Sequence, residues 1–405
     1  MFLSVVLLWF CVGFIVLQLK SRRPKNFPPG PPVLPLLGNT LQLSLENPLK
    51  DFERVRNKCW VILADYGSSW REHRRFALMT LRNFGLGKNS MEDRIHKEIK
   101  YTISTLEKSI DKTMSPQVMF HNAASNIICQ VLFARRYEYD NALIKVIVQC
   151  FTENSKIANG PWAMLYDSFP LIRYLPLPFM KAFKNAERGD DGSSFSEDRI
   201  CLYALDLHFA GTDTTSNTLL TGFLYLMNYP HVQERCQREI DQVLEGKDRV
   251  SFEDRHNMPY VQAVIHEIQR VSNTVPLSVF HCTTKDTELM GYSIPKGTMI
   301  IENLTSVLNE EGQWKFPHEF NPENFLDDKG EFVKPEAFMP FSAGPRVCLG
   351  EGLARMELFL IMVTLLRKFK FIWPEDAGEP DFTPVYGVTL SPKPYRMKVQ
   401  LRTPQ

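Results

Sequence analysis

From Asp51 onward most segments carry apolar residues at the three-and-four rhythm of an α-helix, and strand-like alternation is scarce. Val118 to Phe133, Leu143 to Phe151 and Tyr260 to Val271 all show it. The longest such run extends from about Ser196 to Tyr229 and stops at Pro230, with Ser194 and Glu197 forming a capping-box pattern at its start. A helix of roughly 30 residues spans about 50 Å, enough to cross a domain. Leu349, Leu353, Met356, Leu360 and Val363 keep the same rhythm and predict a helix directly after Cys348. Strand signals come late, as in TELMGYSIPKGTMII, where Gly291 and the turn Pro295–Gly297 separate two short runs. The pattern predicts a mainly α fold with small β-sheets, an α+β architecture without internal repeats.

The chain's beginning departs from this rhythm. Phe2 to Leu19 is almost continuously apolar, and Lys20, Arg22, Arg23 and Lys25 follow. About 18 such residues span roughly 27 Å of helix, close to a bilayer's hydrocarbon core. No basic stretch precedes the run and no small-residue cleavage site follows it, so it reads as an uncleaved signal anchor over 1–20. The basic flank should stay cytosolic, which puts the N-terminus in the lumen and the globular part in the cytosol. Residues 21–40 form a basic, proline-rich hinge with five prolines between Pro28 and Pro35, stiff enough to hold a domain at a set angle. Residues 41–405 read as one large domain.

A net charge of +1 gives no reason to expect nucleic acid as a partner. The eight cysteines are scattered, which fits neither a disulfide framework nor a zinc site. Cys348 stands apart, in FMPFSAGPRVCLGEGLARMELFL. The start of the following helix favours negative charge on its sulfur. Gly344 and Gly350 let a flat ligand approach the backbone, Arg346 could reach a carboxylate on that ligand's edge, and Phe341 would shield the sulfur. A lone cysteine with no further ligand nearby suggests a metal that brings its own equatorial ligands, which means haem. A packed thiol in a glycine-rich turn accounts for the composition equally well.

FSAGPRVCLG fits F-x-x-G-x-R-x-C-x-G and resembles the cysteine-ligand loop of the cytochrome P450 haem-thiolate monooxygenases. RRFALMTLRNFG and MPFSAGPRVCLGEGLARMELFL are similar to the microsomal family 2 branch, which oxidises drugs and fatty acids. The resemblance implies haem b (iron protoporphyrin IX) with the Cys348 thiolate as axial ligand. Four further elements follow the family's order. In AGTDTT the dioxygen-binding stretch includes Ala210, and Asp213 and Thr214 would be the acid–alcohol pair that supports proton delivery. Two threonines and a glycine predict a loosened helix there; alone, the motif reads as a solvated polar patch. WREHR places Trp70 and Arg74 four residues apart, by themselves a surface cation–π pair and in the family donors to a haem propionate. His281, in PLSVFHCTTKD, matches a family histidine that donates to a propionate, alongside Arg346. Glu267 and Arg270, in HEIQR, match a buried structural ion pair, and Asn324 stands where the family's third partner is an arginine.

Leu205, Phe209, Val275, Val279, Val388 and Leu390 match positions that line an apolar pocket above the haem, although each could be ordinary core. The resemblance implies oxygen insertion into lipophilic substrates, by hydroxylation or epoxidation of fatty acids such as arachidonate, of steroids or of xenobiotics. Electrons would come from NADPH through NADPH–cytochrome P450 reductase, with cytochrome b5 as a possible second donor, at the endoplasmic reticulum membrane. Arg71 and Arg75 are candidates for the docking face. The chain also departs from the family. It is short near 58–62 and near 186–188, which removes a two-strand sheet, a helix and most of a helix pair roofing the pocket. Glu302, in MIIENL, replaces a usual proline. Two rivals follow: a truncated, membrane-tethered, non-catalytic variant with weak or no haem binding, and a peroxide isomerase or dehydratase of the same fold. Retention of Asp213 and Thr214 argues against the second.

Overall fold

The computed structural model describes residues 66–83, 89–139, 197–387 and 389–402. In chain order these form helices α1 (Ser68–Asn83) and α2 (Asn89–Glu107), strand β1 (Thr113–Met114), and helices α3 (Gln117–Phe133), α4 (Glu197–Asn228), α5 (Pro230–Val243) and α6 (Pro259–Ser272). Strands β2 (His281–Cys282), β3 (Thr287–Leu289), β4 (Tyr292–Ile294) and β5 (Met299–Ile300) follow, then the short helix α7 (Leu304–Leu308). Helix α8 (Glu351–Lys368) leads into β6 (Phe369–Ile372), β7 (Pro384–Val385), β8 (Ser391–Pro392) and β9 (Met397–Leu401). The mainly helical reading with small sheets holds for these residues.

Helix boundaries follow local chemistry. Pro230 and Pro259 occupy the first turns of α5 and α6, where a missing N–H costs nothing. α3 ends where Ala134 turns left-handed at φ 51°, and α6 where Asn273 does so at φ 37°. The expected run from Ser196 to Tyr229 is α4, 32 residues long and unbroken. The predicted loosening at Ala210–Thr215 does not interrupt it. Hydroxyls from Thr214 and Thr218 instead bond back to the Ala210 and Thr214 carbonyls, at 2.6 and 2.8 Å.

α3 and α4 pack closely, because Gly211 offers no Cβ where Ile128 leans in. A methyl there would lie 2.4 Å from Ile128 Cδ1. The core extends from this seam through Phe120 stacked on Phe223 at 5.1 Å, and Phe223 against Phe371 at 4.5 Å, to the nearly wholly buried α8. β1, β9 and β6 form an antiparallel sheet beside it, with Phe371 opposite Val399 and Met114 opposite Met397. Gln233 ties α5 into this layer by bonding the Leu226 and Phe371 carbonyls and accepting from the Phe371 N–H. The two strand-like runs of TELMGYSIPKGTMII resolve into three strands: β3 pairs with β4, and β5 pairs with β2.

Among the described residues no helix is long and apolar enough to cross a membrane. The anchor (1–20), the hinge (21–40), the helix Leu143–Phe151, Ser194, both shortened points and Val388 lie outside the described residues, as does the Leu205 side chain.

Candidate functional site

The loop before α8 is built to present one sulfur. Ser342 and Gly344 take left-handed φ angles of 59° and 71°, and a short 3-10 turn spans Gly344–Arg346. The Cys348 N–H donates to the Phe341 carbonyl at 3.0 Å, which closes the loop. The helix begins at Glu351, not directly after the cysteine, and the intervening Leu349–Gly350 turns the first amides onto the sulfur. Cys348 Sγ accepts from the N–H groups of Gly350 and Glu351. Desolvation pushes the thiol upward, and the Glu351 charge adds to this; the two amides and Arg74 act in the opposite sense. Protein atoms crowd the sulfur on the loop side, yet the residue is exposed on the other. Phe341 is half-buried, with the Arg355 guanidinium over its ring at 5.4 Å.

The cations expected from the sequence gather at this loop. Arg74 Nη2 donates to the Val347 carbonyl at 2.6 Å, one residue before the cysteine. Its guanidinium lies 5.5 Å from the Trp70 ring centroid, and that of Arg346 lies over the same ring at 4.1 Å. Trp70 is buried and touches Tyr66 at 5.1 Å. One helix, α1, and one loop thus bring Trp70, Arg74 and Arg346 together. His281 approaches by another route. Glu302 Oε1 lies 3.1 Å from His281 Nδ1, while Glu302 Oε2 accepts from the Ser342 hydroxyl at 2.9 Å. The Glu302 carboxylate joins the β2–β5 pair to the cysteine loop.

This donor set suits a flat macrocycle with carboxylate arms. There is one thiol with directed amides, two guanidiniums and an indole beside it, and open space over Gly344, where a Cβ would meet nothing within 4 Å. A Cβ on Gly350 would instead sit 3.8 Å from the sulfur.

On α4, Asp213 is held at both oxygens. The Thr389 hydroxyl donates to Oδ2, and Asn217 Nδ2 donates to Thr389 Oγ1 at 3.0 Å. His121 Nε2, from α3, faces Asp213 Oδ1 at 3.6 Å. Thr214 lies next along the helix, and Ala210 is half-buried. Neither His121 nor Thr389 belongs to a sequence motif; they meet Asp213 only through the fold.

Glu267 and Arg270 form a wholly buried bidentate pair, with Nε–Oε2 2.7 Å and Nη2–Oε1 2.8 Å. Asn324 Nδ2 donates to both carboxylate oxygens at 3.3 Å, a neutral bond in the arginine's place. Arg270 also donates to the carbonyls of Leu308, Pro317 and Glu319, which fastens the segment before the cysteine loop. Burial raises the Glu267 carboxyl, with Arg270 working against it.

Of the expected pocket residues, Phe209, Val275 and Val279 are half-buried, while Leu390 is buried and its N–H donates to the Thr274 carbonyl at 2.8 Å. One buried carboxyl escaped the sequence reading. Glu357, on α8, is 1% exposed, is bonded by Thr215 of α4, and is pushed by burial up to about 8.

The family model described as Cytochrome P450 matches residues 46–191 and 185–399. Cytochrome P450 2J5 of Mus musculus is 35% identical over 470 residues, covering 95% of this chain and 93% of the relative. Cytochrome P450 2J2 of Homo sapiens is 35% identical, over 94% of this chain and 92% of its own length. Vitamin D(3) 25-hydroxylase of Sus scrofa is 34% identical, over 98% and 97%. Each alignment is longer than the 405 residues of the whole chain, so these relatives carry stretches with no counterpart here.

Proposed function

The chain belongs to the cytochrome P450 family, and from that premise we propose a membrane-anchored monooxygenase of the endoplasmic reticulum that inserts one oxygen atom into lipophilic substrates. The observation that carries this is the convergence of Trp70, Arg74 and Arg346 on a cysteine whose sulfur receives two backbone amides. Haem b, held through Cys348, would supply dioxygen activation. Trp70, Arg74, Arg346 and His281 would neutralise its propionates. Gly344 and Gly350 keep the approach to the sulfur free of side chains.

Asp213 and Thr214 would hold and deliver the protons that the reaction consumes. Asp213 is oriented for this by Thr389, and the Thr214 hydroxyl must leave the Ala210 carbonyl to donate elsewhere. Glu267, Arg270 and Asn324 take no part in the chemistry; they hold the backbone that precedes the loop.

The relative named Vitamin D(3) 25-hydroxylase supports a lipophilic substrate, as do the half-buried Phe209, Val275 and Val279. Fatty acids such as arachidonate, steroids and xenobiotics are the classes proposed. Electrons would arrive from NADPH through the reductase, or from cytochrome b5, on the cysteine side. Exposed Arg71 and Arg75 would face them there. The domain plan is an anchor at 1–20, a hinge at 21–40 and one catalytic domain at 41–405, with the catalytic domain facing the cytosol.

A second reading has support of its own. The family match breaks into two pieces that meet at 185–191, and the alignments outrun the chain. A shortened, non-catalytic form that binds haem weakly would fit both. The carbon-monoxide difference spectrum of the reduced protein separates the two. A red-shifted thiolate-type Soret band that Cys348→Ala abolishes supports the enzyme, and its absence in the parent sinks that reading.

A further inference from the structure

His121 is a half-exposed histidine on α3, outside every motif of the chain. Its ring is held at one nitrogen and faces a carboxylate with the other. Nδ1 lies 2.9 Å from the Gln117 carbonyl, which can only accept, so Nδ1 keeps its proton. The exchangeable proton is then the one on Nε2, and that atom faces Asp213 Oδ1 at 3.6 Å.

The aspartate is set from the other side. Asn217 Nδ2 can only donate, so the Thr389 oxygen accepts from it and spends its own hydrogen on Asp213 Oδ2. Oδ1 is left as the proton-accepting oxygen on the side of the histidine. Nε2 and Oδ1 therefore face each other across a gap that holds one proton, which a small ring rotation brings within hydrogen-bond reach. The His121 side chain is 21% exposed and Asp213 18%, so solvent reaches the histidine as well as the aspartate.

We propose that His121 loads Asp213 with the proton that the Asp213–Thr214 pair delivers. The step is balanced: the Nε2–H bond breaks, the Oδ1–H bond forms, and the neutral imidazole is recharged from water. His121 acts through Asp213 and is a positioning residue; the proposal rests on the acid–alcohol reading above.

The test uses full-length holoenzyme with reductase, each variant first checked for its carbon-monoxide spectrum. The readout is product formed per NADPH consumed, for a lipophilic substrate that the parent turns over. His121→Gln lowers it about tenfold, less than the roughly hundredfold or more of a group that acts on the reacting atoms directly, because water still reaches Asp213 slowly. His121→Arg, which keeps a positive charge on a group that does not give up its proton, does not restore it. Asp213→Asn lowers it as well, and adding His121→Gln to Asp213→Asn costs nothing more. A second readout needs no turnover. Nitrogen-15 spectra of the protein's histidine rings show Nδ1 protonated in His121, and Asp213→Asn moves the Nε2 resonance alone. An unchanged ratio in His121→Gln beside a reduced one in Asp213→Asn overturns the relay and leaves the acid–alcohol pair standing. Restoration by Arg also overturns it, because charge alone then suffices. An unchanged ratio in Asp213→Asn removes the acid–alcohol reading and the relay with it.

Discussion

Glu357 gives the sharpest test of the fold's energetics. Its carboxyl is buried between α8 and α4, and one of its oxygens has no hydrogen-bond partner among the described residues. Desolvation dominates and pushes it up to about 8 against an ordinary 4.5, with the Thr215 hydrogen bond opposing. The folded-state value lies above the unfolded one, so the folded protein binds the extra proton between these limits. Stability is therefore fullest below the unfolded value and is lost as pH rises towards 8, at about 1.4 kcal/mol per pH unit. Glu357→Gln removes the titration while keeping the shape. Urea unfolding followed by tryptophan fluorescence at pH 6.5 and 7.5 measures it. The parent should lose about 1.4 kcal/mol more than E357Q across that unit. Buried His266 and His208 are held down near 3 and 4 and act with the opposite sign at lower pH, but they are common to both proteins and cancel in the difference. Parallel stability curves for parent and variant would refute the reasoning, since the carboxyl would then be ionised in the fold.

Glu267→Gln leaves the Arg270 guanidinium buried without its counter-charge and should cost about 3–5 kcal/mol of unfolding free energy in the same assay. Gly211→Ala drives a methyl into Ile128 and should cost about 1–3 kcal/mol. Combining it with Ile128→Ala should cost less than the sum of the two single changes, because the cavity accepts the methyl. Gln233→Ala strips partners from the Leu226 carbonyl and both polar groups of Phe371, and should lower stability by roughly 2 kcal/mol or more.

What could be read along the chain was what is local. Val118–Phe133 and Tyr260–Val271 announced α3 and α6 through periodicity, and Pro230 announced the end of α4 through proline's missing donor. The cysteine loop was legible because its glycines, arginine and cysteine lie within a few residues of one another. α8 was harder to orient: it is buried around most of its circumference, so its apolar rhythm gave no sign that Glu357 is buried too. The strands were blurred because two or three residues cannot establish an alternation. His121 and Thr389 were invisible for another reason. They reach Asp213 across 92 and 176 positions of chain, and nothing in either neighbourhood records the meeting.

Glu302 carries a consequence for how this chain diverges from its relatives. A ring-locked backbone corner needs no neighbours, so a proline at that position can persist while the residues around it drift. A carboxylate that grips His281 with one oxygen and Ser342 with the other has made three positions mutually dependent. Sequences that keep an acidic residue here should keep a hydroxyl at 342 and a histidine at 281, and those that revert to proline should be released from the first of these constraints. An isolated oddity in the linear sequence is thus, in the fold, one member of a linked set of three.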